Sequence, residues 1–353
     1  MSVAGTGALL GSCPLPVFDH SEIILGHGSG GKLTHRLIEK IIAPQFANPL
    51  LDPLHDGATF AVGGSRLAFS TDSFVVNPIF FPGGDIGTLA VNGTVNDLAM
   101  CAAHPLYLSA AFILEEGFPM RDFWRVVRSM KAAAEAAGVR LVTGDTKVVD
   151  RGKGDKTYIN TSGVGLVREG ACIHPGRAAV GDKIILSGPI AVHGIAIMSV
   201  RENLEFETQI TSDTAPLHHL VEVMLEACPD IHVLRDPTRG GVTSTVAEIA
   251  ERSKTGILLD ETRIPITEEV RGACEILGLD PLYVANEGKL IALVPPDAAG
   301  RVLAAMRKHP LGAEAAVIGE VVADHPGMVV MKTRVGGTRV VDMLSGEQLP
   351  RIC

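Results

Sequence analysis

Aromatic side chains are scarce in this sequence: one Trp, three Tyr and 11 Phe, or 4% of 353 residues. The core must then rest on Val, Ile, Leu and Ala, which favours helices packed on sheets over an all-β sandwich. No run of Lys and Arg stands out and the formal net charge is −9, so no nucleic-acid partner is expected. Phosphate ligands stay open, since backbone N–H groups, helix N-termini and a divalent cation hold them without a basic surface. No apolar run approaches the roughly 20 residues that span a bilayer, so no membrane partner is expected. Low-complexity blocks are missing too; Gly and Pro are spread through a chain that is 46% hydrophobic, a globular composition. The six cysteines include no Cys-x-x-Cys pair. Without an export signal, that pattern implies reduced thiols in a cytoplasmic setting, most of them buried as small apolar groups. Cys353 differs, because a terminal residue carries a charged carboxylate beside its thiol.

At this length the chain accommodates two domains. Ala8-Leu9-Leu10-Gly11-Ser12-Cys13 has the outline of a lipoprotein cleavage site, but no Lys or Arg precedes Lys32. Residues 1–22 therefore read as an unstructured extension rather than a signal peptide. Residues 23–170 form a first domain, 171–344 a second, and 345–353 a polar, mobile tail. Periodicity predicts strands at 67–76, 139–143 and 158–167, with helices at 86–102 and 123–137. In the second half it predicts strands at 183–187, 290–294, 316–322, 328–332 and 338–342. The helices expected there span 213–227, 242–253, 268–277 and 297–308. Gly138 reads as a helix C-cap. The fold class is α/β with mixed sheets.

Gly26-His27-Gly28-Ser29-Gly30-Gly31-Lys32 runs into a helical segment. Four glycines in six residues allow close approach of a polyphosphate, and Lys32 adds a cation. A flexible turn explains the run equally, since it lacks the Walker spacing and no convincing strand precedes it. Aspartates stand at expected element ends: Asp56, Asp72 and Asp145, with Asp97 inside a helix. Asp97 shares the apolar face of Ile86, Ala90 and Gly93, and no basic residue lies three or four positions away. A buried carboxylate of that kind is usually paired or metal-bound, and oxygen-only ligands point to Mg²⁺ or Mn²⁺. Any one of these aspartates reads equally as a cap or turn residue. Asp236-Pro237-Thr238-Arg239-Gly240-Gly241 leads into another helix, with an arginine suited to an anion or simply to a capped loop. In Ala285-Asn286-Glu287-Gly288-Lys289 an acid abuts a strand, where it could act as a base oriented by Asn286. His193 precedes a helix of small residues, where it could orient a ligand or only be hydrogen-bonded in place.

The chain ends Leu349-Pro350-Arg351-Ile352-Cys353. Proline stiffens the approach, and Arg351 would lower the thiol pKa while the terminal carboxylate opposes it. Fully extended from Ser345, the tail reaches roughly 30 Å. A frayed terminus is the ordinary alternative.

Together, the glycine run, Ser70-Thr71-Asp72-Ser73, Phe80-Phe81-Pro82-Gly83-Gly84-Asp85-Ile86-Gly87, Asn96-Asp97-Leu98-Ala99, Thr143-Gly144-Asp145-Thr146-Lys147-Val148-Val149, the 236–241 and 285–289 motifs and the closing Pro-Arg-Ile-Cys resemble the HypE family of hydrogenase maturation proteins. The aspartate and glycine motifs are shared with aminoimidazole ribonucleotide synthetase, thiamin-monophosphate kinase and selenophosphate synthetase; the terminal motif is specific to HypE. The resemblance implies the two-domain aminoimidazole ribonucleotide synthetase-like fold, a homodimer formed through the first domain, and ATP near the dimer interface. It implies carbamoyl transfer from HypF to Cys353, ATP-dependent dehydration to a thiocyanate, and delivery of the cyano group to iron on HypC–HypD. By that resemblance Asp56, Asp72, Asp97 and Asp145 hold Mg²⁺. Nucleotide contacts are expected from Gly28, Gly30, Gly31, Lys32, Asp72, Asp97, Asp145, Thr146, Arg239 and Asn286. Glu287 and Lys147 are the candidates for proton transfer. Two rival readings are an ATP-dependent kinase or synthetase acting on a diffusible molecule, and a non-catalytic assembly scaffold.

Overall fold

The computed structural model describes residues 20–203, 210–346, 349 and 351–353; most of the expected extension, and Pro350, lie outside the described residues. The first half contributes helices α1 (Lys32–Leu37), α2 (Ala43–Phe46), α3 (Ile86–Met100) and α4 (Met120–Ala136). Its strands are β1 (Ala58–Val62), β2 (Ser65–Phe74), β3 (Phe80–Phe81), β4 (Gly84–Asp85), β5 (Ala103–Glu115), β6 (Arg140–Val149) and β7 (Thr157–Val167). The second half adds β8 (Lys183–Leu186), α5 (Val192–Arg201), α6 (His218–Ala227), β9 (Val233–Arg235), α7 (Gly241–Ser253) and β10 (Gly256–Asp260). It continues with α8 (Glu268–Leu277), β11 (Ile291–Val294), α9 (Pro296–Met306), β12 (Ala316–Val322), β13 (Val329–Lys332) and β14 (Thr338–Val341).

Helix α3 organises the first half. Asp85 caps it by accepting from Thr88 N at 2.9 Å, as a short acceptor before an apolar run should. Apolar or small residues occupy nearly every face, so the helix is buried all round. Glycines permit that burial: a Cβ on Gly87 would lie 2.5 Å from Val126 O of α4, and one on Gly93 would lie 2.8 Å from Phe74 of β2. Beneath α3 runs a five-stranded sheet in the order β1-β2-β7-β5-β6, antiparallel except for β5 with β6. The second half folds around a seven-stranded sheet, β14-β13-β10-β12-β8-β11-β9.

Strand β5 was not foreseen, because Pro105 removes an N–H from what is a central strand. The ladder with β7 shifts register between Pro105 and Tyr107, and that bulge accommodates the proline. One apolar cluster joins the halves: Phe74, Val76 and Leu89 of the first pack with Ile195, Val284 and Cys274 of the second, and with Leu349, Ile352 and Cys353 of the tail. Leu349, Ile352 and Cys353 of the tail are thus part of a core shared by both domains.

Packing of α3 on the sheet is tight at Gly163, where a Cβ would meet Leu98 and Leu108 at 2.8 Å, whereas Gly272 inside α8 faces open space. Gly163→Ala is expected to cost about 1–3 kcal/mol. Gly272→Ala should gain up to about 1 kcal/mol. Denaturant unfolding of the two variants beside the parent checks both signs.

Candidate active site

Strand β2 carries Asp72 on the face shared by Ser70 and Phe74, toward α3. Helix α3 presents Asp97, whose Oδ2 lies 2.6 Å from the Ser70 hydroxyl, itself 2.8 Å from the backbone oxygen of Asp56. Asp56 precedes β1, and Asp236 follows β9 directly. Burial, then the charges of Asp236, Asp72 and Asp56, push the Asp97 carboxyl well above the usual carboxylate range. Burial likewise raises Asp72 against the pull of Arg239, and raises Asp236 to about 6 against Arg235. Four carboxylates therefore share one enclosed space. Arg235 offsets part of their charge through an ion pair at 2.8 Å to Asp56 Oδ1 and another at 2.8 Å to Glu248. Asp56 Oδ2 is left buried without a hydrogen-bond partner.

Such a donor set fits a hard divalent cation. Among the described residues the aspartates do not close into a three-ligand cage with oxygens within 4.8 Å of one another. The protein alone thus supplies a partial shell, which suits Mg²⁺ completed by phosphate oxygens and water. Asp236 was quoted in the sequence only as part of a helix lead-in; its position directly after a strand was the available signal.

Beside the carboxylates lies the end of the chain. Cys353 is 6% exposed, its carbonyl oxygen accepts from Val75 N at 2.9 Å, and Arg351 O accepts from Asn77 N at 3.2 Å. Buried His193 lies with Nε2 2.8 Å from Ile352 O and Nδ1 2.7 Å from Ser212 Oγ. The carbonyl can only accept, so Nε2 carries the proton and Nδ1 accepts from the serine. Burial pushes the Cys353 thiol up, and Glu287, both as a charge and as its hydrogen-bond partner, and Asp72 add to that; Arg239 opposes. The expectation that Arg351 lowers the thiol pKa is corrected: its guanidinium is spent on Asp155 and, at 3.0 Å, on Val75 O. Glu287 is buried, raised well above the ordinary range by burial and by Asp72, Asp213 and Asp236, and its Oε1 has no partner. Asp213, missed in the sequence, accepts from Glu287 N at 3.3 Å and pairs with Lys289 at 3.2 Å.

The structure does not bring every candidate here. Asp145, Thr146 and Lys147 were placed just past a short strand, but β6 continues through them to Val149. Strands β7 and β5 separate them from β2, and within one chain they lie apart from the carboxylate cluster. Asp145 is exposed and held below the usual carboxylate range, chiefly by Lys147 at 2.6 Å and then by Thr146 N. The Asn286 amide is consumed by the backbone, accepting from Ala191 N at 2.8 Å and donating to Pro237 O at 2.8 Å, so it braces the loop before Glu287. Lys32 pairs with Asp342 at 2.5 Å. The glycines next to it have a packing role: a Cβ on Gly30 would lie 2.6 Å from Arg239 backbone, and one on Gly31 2.5 Å from Leu344 O. Gly28 is open on all sides. The glycine-rich loop thus interlocks with the Arg239 loop.

Residues 54–167 match the AIR synthase related protein N-terminal domain, and 179–332 match its C-terminal domain. Over 333 residues the chain is 56% identical to carbamoyl dehydratase HypE of Cupriavidus necator, covering 94% of this chain and 95% of that one. The Escherichia coli carbamoyl dehydratase HypE is 47% identical over 340 residues, 94% of this chain and all of that one. The chain belongs to the HypE family. A solved HypE in complex with ATP superposes with a TM-score of 0.79 at 51% identity, covering 94% of this chain and 100% of the other. A HypE–HypF complex gives 0.83 at 47% identity, covering 87% and 99%. The fold expected from the resemblance is the one HypE structures have.

In this HypE-family site the raised carboxyls set a pH dependence. A raised carboxyl binds its proton more tightly folded than unfolded, so its stabilising contribution is present at low pH and is lost as pH rises through the folded value, about 6 for Asp236. Any divalent cation that these carboxylates take, Mg²⁺ included, must displace those protons. Its thermal stabilisation should therefore be clearly larger near pH 7.5 than near pH 5; equal shifts in a melting experiment at the two pH values would count against a carboxylate-bound metal.

Proposed function

We propose that this chain, an ATP-dependent carbamoyl dehydratase, dehydrates an S-carbamoyl group on its own Cys353 to an S-cyano group, the source of the cyanide ligand on the iron of nickel–iron hydrogenase. The observation that carries the reading is the C-terminal thiol buried against Glu287, Arg239 and Asp72.

An amide oxygen is a poor leaving group until it is phosphorylated. In the reaction that oxygen attacks the γ-phosphorus of ATP, ADP departs, and one N–H proton is lost. Loss of the second proton expels phosphate and completes the carbon–nitrogen triple bond, so that S-carbamoyl and ATP give S-cyano, ADP and phosphate. Bound Mg²⁺ would neutralise charge on the transferring phosphoryl group, held by Asp72 and Asp97 with Asp56 and Asp236 behind them. Glu287, next to the sulfur, unpartnered at Oε1 and raised in pKa by burial, binds a proton more tightly than an ordinary carboxylate and suits proton abstraction. Arg239, held above its ordinary value first by Cys353 and then by Asp72, Glu287 and Asp97, is placed to steady the departing phosphate.

The pocket disfavours a thiolate and tolerates a neutral thiocarbamate. Carbamoyl loading from HypF, the partner in a solved relative's complex, therefore belongs to the tail released from the pocket, as does cyano transfer to HypC–HypD. Burial of Leu349 and Ile352 favours the docked tail, and the backbone entropy of ordering the tail opposes it.

A homodimer is supported by strand β6, exposed along both faces, which is unusual for a parallel-paired strand and leaves an uncovered edge. Phe69, Tyr107 and Leu166 are also exposed on the adjoining strands. A second copy against that surface would bring its Asp145, Thr146 and Lys147 toward this chain's phosphate site.

Intact mass after incubation with HypF, carbamoyl phosphate and ATP should show one carbamoyl group on Cys353, then loss of one water. Glu287→Gln should accumulate the carbamoyl form, with dehydration slowed about 10²–10⁴-fold. ATP turnover on a small molecule that survives Cys353→Ala would favour the diffusible-substrate enzyme instead, and full cyano-group formation by Asp97→Ala would favour a scaffold.

A further inference from the structure

Away from the carboxylate cluster, three ligand-type side chains meet where the N-terminal helix lies on the second domain. His35 of α1, Glu39 one turn on and Glu251 near the end of α7 present atoms that all lie within 4.8 Å of one another, the single such group among the described residues. His35 Nε2 is 3.1 Å from Glu39 Oε1 and 3.6 Å from Glu251 Oε2. That nitrogen is shielded from solvent, yet it makes no hydrogen bond to either carboxylate or to anything else. It faces two carboxylate oxygens without the alignment of an N–H donor.

The spacing has a simple geometric meaning. Donors about 2.0–2.2 Å from a tetrahedral ion are separated from each other by about 3.3–3.5 Å, the range that the two measured contacts bracket. We propose that His35, Glu39 and Glu251 form a binding site for a divalent first-row transition ion such as Zn²⁺, with water in the remaining position. One imidazole with two carboxylates is the donor set of that class, where thiolates would favour softer ions and oxygen alone Mg²⁺. Arg252 lies 3.2 Å from Glu39 Oε1, the kind of outer contact that orients a ligating carboxylate.

The position gives the ion a role. Helix α1 follows the glycine-rich loop and α7 follows the Arg239 loop, and the loops already interlock, with a Cβ on Gly240 falling 2.6 Å from Gly30 O. An ion joining His35 and Glu39 to Glu251 would add a second attachment toward the far end of α7. It would clip the N-terminal segment, and with it the glycine-rich loop, onto the second domain.

The test uses Co²⁺ as a spectroscopic stand-in for Zn²⁺ on the full chain, with excess Mg²⁺ to cover the aspartates and Cys353→Ala as background to remove the tail thiol. A Mg²⁺-resistant equivalent of Co²⁺ with the visible absorption of a four-coordinate ion is expected. His35→Ala and Glu251→Gln should each weaken it by more than about 100-fold, and Zn²⁺ should slow hydrogen exchange in residues 32–46 only when the trio is intact. Glu251 is an exposed side chain, so its variant remains informative if His35→Ala fails to fold. Unchanged Co²⁺ stoichiometry and spectrum in Glu251→Gln, or no Mg²⁺-resistant equivalent in the parent, overturns the proposal.

Discussion

The enclosure of four aspartates and a glutamate in one space is the constraint on which the rest of the structure depends. Unpaired carboxylates taken out of water cost several kcal/mol each, and here each raises its neighbours' affinity for protons. A chain tolerates such a cluster only where a rigid frame holds it and a counter-charge is available. The frame is α3 held between the five-stranded sheet and helices α4 and α6, and the resident counter-charges are Arg235 and Arg239. Asp72 and Asp97 come from the first domain, Asp236 and Glu287 from the second. Closing the domain interface and assembling the site are therefore one event, and the apolar cluster spanning both halves supplies the driving force for both.

The tail exploits that arrangement. Its backbone is received by Val75 and Asn77, which continue from the strand that carries Asp72, and by His193 from the second domain. Arg201 also donates to the Arg351 carbonyl. These contacts read main-chain atoms and are indifferent to what the sulfur carries. The sulfur's surroundings do discriminate by charge: burial first, and then Glu287 and Asp72 against the pull of Arg239, disfavour a thiolate there, a penalty that an uncharged adduct does not meet.

Regular elements with clear periodicity were legible in the sequence, as at Ile86–Met100, Met120–Ala136 and Glu268–Leu277. What failed had physical causes. Pro105 disguised β5, since only a bulge makes a proline tolerable there. Strand β6 was cut short because Gly144-Asp145-Thr146 has turn chemistry, and edge pairing with β5 overrode it. Asp145 was thereby put at a strand end, whereas it lies inside β6 and, within one chain, apart from the other aspartates. The glycine-rich run was read for phosphate contact, while Gly30 and Gly31 are explained by the closeness of Arg239 and Leu344. Asn286 was read as orienting Glu287, and its fully buried amide spends its hydrogen bonds on the backbone of that loop and its neighbours. Cys353 and Glu287 stood out as candidates because a terminal thiol and an acid before a strand are odd positions whatever the fold, and the structure buries them side by side.

These differences change how the glycine-rich loop is understood. Lys32 is tied to Asp342 and the adjoining glycines to the backbone of the second domain, so the loop's conformation is set mainly by protein contacts. A loop fixed in that way is preorganised, and its own N–H groups take part in the fixing: Gly30 N donates to Thr34 Oγ1 at 3.0 Å and Lys32 N to Leu344 O at 2.9 Å. The glycines then matter twice, first because any side chain would force the two loops apart, and second because the gap so closed is where the docked tail ends. Interdomain packing, loop geometry and the position of the terminal thiol are consequently coupled through a few main-chain contacts, and a change at Gly30 or Gly240 would be felt at Cys353 without touching it.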